Sequence, residues 1–99
     1  MAEYTIRTVS GDDWPVIRAD LSTVIQPRSF DCEVIVDEDV HSFRTGGTTG
    51  TASWELLGTW YVEVEGAVSL DAADALVAEM TQQLGEAAGQ AAAFFRGTD

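Results

Sequence analysis

Apolar residues recur in steps of three and four from position 70 onward: Leu70, Ala73, Val77, Met80, Leu84, Ala88, Ala91, Phe95. That spacing puts one stripe along one side of an α-helix, and it predicts a helix over 70–95. Ser69 suits the N-cap, because its hydroxyl can accept from a free backbone N–H. Asp71 and Asp74 lie where the helix dipole favours negative charge. Gln82, Gln83, Glu86 and Gln90 lie away from that stripe. Such a helix is roughly 39 Å long and needs an apolar surface to cover. Gly85 and Gly89 lie within it, each costing about 1 kcal/mol relative to alanine. They would either end the helix early or admit a second backbone at close range.

The covering surface is legible just upstream. In SWELLGTWYVEVEG, Trp54, Leu56, Trp60, Val62 and Val64 alternate with Glu55, Leu57, Thr59, Tyr61, Glu63 and Glu65. A period of two marks a half-buried strand, predicted over 53–65 with the tryptophan-bearing set toward the helix. Gly58 at its midpoint suits a bulge or bend. Further strands are expected within 3–9, with Tyr4 and Ile6 inward, and within 30–37 and 40–45. The stretch 14–27 reads either as a strand or as a helix opening at Asp13-Trp14-Pro15. Its β-branched residues favour a strand within 15–26. Residues 45–53, rich in Thr and Gly, read as a flexible connection. The fold class is then α+β: one domain spanning 1–99, an antiparallel sheet of four to five strands, and one long C-terminal helix across one face.

The segment 30–47, FDCEVIVDEDVHSFRTGG, holds five carboxylates with the sole Cys and the sole His of the chain. As a hairpin it offers two kinds of register. A three-residue turn pairs Val36 with Val40 and turns His41 away from the Cys32 face. A two- or four-residue turn pairs Val36 with His41 and Val34 with Phe43, which keeps apolar groups together and is preferred. In that register Cys32 and His41 share a face about 13 Å apart, too far to ligate one metal or to form a nucleophile–base pair. Asp37, Asp39 and His41 are weak candidates for a surface cation site. The twelve positions from Asp37 put Ser42 and Thr48 where an EF-hand loop needs Gly and Glu.

The chain has 17 acidic and 5 basic residues, a net charge of −12, and neither lysine nor asparagine. Nucleic-acid binding by counterion release needs clustered cations, so direct nucleic-acid binding is not expected. The absent residues have A-rich codons and point to a GC-rich genome, bacterial or phage. The acidity keeps the chain soluble and also suits a basic partner, including one engaged by DNA mimicry. No segment reads as a signal peptide or a membrane span, and one unpaired cysteine fits a reducing compartment. A cytoplasmic protein is therefore expected.

Residues 4–21, YTIRTVSGDDWPVIRADL, resemble the first strand and helix of the GCN5-related N-acetyltransferases. The resemblance would imply acyl transfer from acetyl-CoA, held by a loop of the form [QR]-x-x-G-x-[GA]. No segment carries that loop, and the assignment is set aside. Acyl transfer is ranked last among the functional expectations.

The leading expectation is a non-enzymatic protein-binding, regulatory or accessory protein, of an inhibitor or immunity type, without cofactor. Ile35, Leu57 and Tyr61, pointing away from the helix, are the candidate interface for a protein partner or a homodimer. The alternatives are a small-molecule or cation-binding domain using residues 37–53, and an acidic DNA mimic.

Overall fold

A computed structural model describes residues 2–11, 14, 21–37, 40–55 and 59–97; for Leu21, Ser22, Val36, Asp37 and Glu55 it describes the backbone. The elements run β1 (Ala2–Thr8), α1 (Leu21–Ile25), β2 (Glu33–Asp37), β3 (Val40–Thr45), β4 (Thr48–Glu55), β5 (Thr59–Glu65), α2 (Leu70–Ala88) and β6 (Ala92–Arg96). The strands form one sheet in the order β2-β3-β4-β5-β1-β6, antiparallel throughout. The class is α+β with a long helix, as expected; among the described residues the sheet has six strands rather than the expected four to five, because β4 and β6 form where a connection and a helix end were expected.

One face of the sheet carries the core. Tyr4, Ile6, Phe43, Ala52, Trp60, Val62 and Val64 are buried there beneath Ala73, Leu76, Val77, Met80 and Leu84 of α2, and Val24 and Ile25 of α1. Burying each large aliphatic side chain contributes about 1.5–3 kcal/mol, so α2 is held chiefly by this stripe. Ser69 caps it as predicted, accepting from the Ala72 N–H at 3.1 Å.

Four expectations require correction. The predicted strand 53–65 is two strands, with Trp54 directly opposite Trp60 and Glu55 opposite Thr59. The alternation read through it because directly paired residues share a face. Leu56, Leu57 and Gly58 lie outside the described residues.

The predicted connection 45–53 is mostly β4. Only Gly46 and Gly47 link it to β3, and Gly46 has φ 58°, the left-handed first position of a type II′ hairpin turn. Of the threonines that suggested a loop, Thr49 and Thr51 lie on the open sheet face and Thr45 and Thr48 on the face of Phe43, which Gly50 opposes.

The predicted helix 70–95 stops at Ala88. Gly89 adopts φ 71°, its N–H bonds to Glu86 O, and the Gln90 N–H bonds to Gly85 O at 3.1 Å. This is the Schellman pattern. The chain then reverses close to the helix: a Cβ on Gly85 would lie 2.7 Å from Gln90 O, so the absence of a side chain there is required. The alanines that favour helix locally become β6, because β1 offers an unpaired edge.

The predicted strand 15–26 contains α1 over Leu21–Ile25; residues 15–20 lie outside the described residues. Packing against α2 and β3 outweighs the local β preference.

Two side chains of α2 also differ from expectation. Leu70 is 53% exposed, whereas Gln83 is 3% exposed. Gln83 donates to Val24 O (2.7 Å) and Gln26 O (2.6 Å), and its Oε1 accepts from the Arg28 N–H (2.9 Å). One turn earlier, Glu79 accepts from the Ser29 N–H at 2.7 Å. The two side chains thus satisfy the irregular backbone that follows α1.

Candidate functional site

The β2–β3 register pairs Val34 with Phe43 and Val36 with His41, the arrangement preferred from the sequence. Cys32 and His41 are therefore kept apart. The His41 ring meets Trp60 edge-on at 6.2 Å on the core face, where Trp60 also meets Trp54 at 5.3 Å. The Cys32 thiol points at Pro27 O. Burial, with Asp31 and Glu79 nearby, pushes its pKa up, which keeps it protonated and a poor nucleophile. Asp39 and the Asp37 side chain lie outside the described residues. Among those described, no three His, Cys, Asp or Glu side chains gather as metal ligands would.

Ile35 and Tyr61 do share the open face, as predicted, but they lie three strands apart and two positions out of row, about 16 Å. Ser42 and Thr51 continue the row of Ile35, and Ser53 that of Tyr61. Tyr61 is held by burial and by hydrogen bonds to Glu3 and Glu63, which raise its pKa. The two residues do not form one apolar cluster, and Leu57 is outside the described residues.

The structure instead opens an apolar surface that the sequence reading missed, between α2 and β6. A groove of about 820 Å³ is lined by Ala78, Gln82 and Gly85 of α2, Gly89 of its cap, and Ala92 and Phe94 of β6. It exists because the helix side turned toward β6 carries small residues, and because the Gly85–Gly89 reversal sets β6 down beside the helix. Glu86, on the groove wall, lies 3.7 Å from Arg28. The Thr81 hydroxyl is engaged with Val77 O at 2.7 Å. What this surface offers is shape, apolar contact and backbone.

The backbone can be assigned. Along an antiparallel pair, alternate residues exchange both bonds with the neighbouring strand. The Val9 N–H donates to Ala91 O (2.9 Å) and the Gly97 N–H to Glu3 O (2.6 Å). Residues 91, 93, 95 and 97 therefore turn toward β1. Ala92, Phe94 and Arg96 turn their N–H and C=O groups to the outer edge, beside which no strand lies among the described residues.

The other edge strand, β2, carries Glu33 and Asp37, and charged residues protect edges from pairing. β6 is AAFFR, without proline, acid or lysine. Its one cation, Arg96, is bound to Asp74 of α2 at 2.5 Å. The signal available in the sequence was a strand-length run containing two phenylalanines, placed just after a helix-ending glycine.

No helix among the described residues is long and apolar enough to cross a membrane. No family model, curated protein or solved structure matches the chain.

Proposed function

We propose that this chain is a non-enzymatic protein-binding module, of the accessory or regulatory kind, that engages its partner along the outer edge of β6 and the α2 groove. One observation carries the reading: an edge strand whose single charged side chain is bound to Asp74 turns backbone groups away from the sheet, unpaired by any strand among the described residues, directly beside a groove lined largely by Ala and Gly. An added strand would gain backbone hydrogen bonds from Ala92, Phe94 and Arg96, and alternate side chains would enter the groove. This is the mode in which sheet edges take up extended segments.

The test is site-specific photo-crosslinking in cells that express the chain, with the photoreactive residue at Ala78 in the groove or at Thr49 on the open sheet face. A discrete protein adduct from position 78, absent from position 49, is expected. Equal labelling at both positions, or none at 78, counts against the reading.

A further inference from the structure

We infer that the occupant of the groove is a second copy of this chain, paired β6 to β6 across a two-fold axis. The inference rests on the reading of the groove as a protein-contact surface and names what fills it.

Charge selects this surface for self-association. A chain of net charge −12 repels its own copies wherever its acids are unpaired. Around the groove they are compensated: Asp74 is bound by Arg96 and Glu86 lies against Arg28. Arg7 rests on the Phe95 ring, 4.2 Å from its centroid. Arg28 and Arg96 thus sit at the groove, while Arg7 covers Phe95 on the opposite face of the same edge. With these acids paired, the groove edge itself adds little uncompensated charge, so the repulsion that a net charge of −12 imposes between two copies is smallest when they meet along this edge.

The outward backbone groups are self-complementary. With Phe94 on the axis, its N–H and C=O meet the C=O and N–H of the second copy's Phe94, and Ala92 lies opposite the second copy's Arg96. All these residues belong to the outward-turned set, so the pairing uses bonds that β1 leaves free. Directly opposed residues share a face, so the incoming Phe94 and Ala92 side chains project onto the core face. There they enter the space beside Ala78, Gly85 and Gly89. The two sheets become one continuous sheet with both copies of α2 on the same side. This is an isologous contact, which closes on itself and does not propagate.

Two measurements on the purified full chain test the assignment. Sedimentation across micromolar to millimolar concentration is expected to show a monomer–dimer equilibrium, weakened about tenfold or more by Ala78→Arg. Ala78 is an exposed helix position, and circular dichroism will report whether the variant folds. Amide exchange is the second measurement. Protection at Ala92, Phe94 and Arg96 rises with protein concentration, while protection at Ala93 and Phe95 does not change. A monomer at every concentration, or a dimer whose outward β6 amides exchange freely, overturns the assignment. In either case, a cross-link from position 78 to a different chain would leave the reading of the surface standing; no cross-link at all would remove both.

Discussion

The Tyr4 phenol donates to Asp74 Oδ1 at 2.7 Å, joining β1 to α2 across 70 residues of chain. Arg96 of β6 holds the other oxygen of the same carboxylate. One acid on the helix therefore ties together the strand that opens the chain and the strand whose outer edge lines the groove.

This link makes stability depend on pH at both extremes. The hydrogen bonds from Tyr4 and Arg96 hold the Asp74 carboxyl below the usual carboxylate range. A depressed folded-state pKa stabilises the fold above the unfolded value, near pH 4, and that contribution is lost as pH falls through the folded one. Thermal melts should show wild type losing its advantage over Asp74→Asn below about pH 4. A constant gap between the two down to strongly acidic pH would contradict the role given to Asp74. At the alkaline end, burial and the bond to Asp74 push Tyr4 up to about 12, and Tyr61 is also raised. Unfolded phenols ionise first, so stability should decline from about pH 10 upward. Phenolate absorbance should appear late in the titration, together with unfolding.

Gln83→Met keeps length and helix propensity but removes every bond to Val24, Gln26 and Arg28. Each buried backbone group left without a partner costs about 1–3 kcal/mol, so urea unfolding should report a loss on the order of 3 kcal/mol. A loss below about 1 kcal/mol would mean that water replaces the side chain.

Gly50 lies opposite Phe43, and a Cβ there would overlap the Phe43 ring. Gly50→Val should cost about 1–3 kcal/mol from overpacking, despite its higher strand preference. Added to Phe43→Ala, the same change should cost much less, and a double-mutant cycle measures that difference. Additive costs would show that ring and backbone do not compete for the same space.

Gly89 and Gly85 are four residues apart yet required for different reasons. Gly89→Ala meets open space but forces φ 71° on a residue with a Cβ, and should cost about 1 kcal/mol. Gly85→Ala has no positive φ to satisfy but drives its methyl against Gln90 O, so it should displace β6 from the helix. Amide exchange along β6 separates the two. Residues 93 and 95 should lose protection in Gly85→Ala and keep it in Gly89→Ala.

By itself the sequence determined what local chemistry controls. The α2 stripe, its Ser69 cap, the inward Tyr4 and Ile6, the facing of Trp54, Trp60, Val62 and Val64, and the β2–β3 register all follow from periodicity, capping and the pairing of apolar groups. Tertiary structure decided the matters in which one segment answers another. AAAFFR is helix by propensity and strand by position, because β1 has an edge to fill. Gln83 is off the apolar stripe yet buried, since a distant stretch of backbone needs its amide. The groove between α2 and β6 has no sequence motif, because it is bounded by two elements that the Gly85–Gly89 reversal brings together.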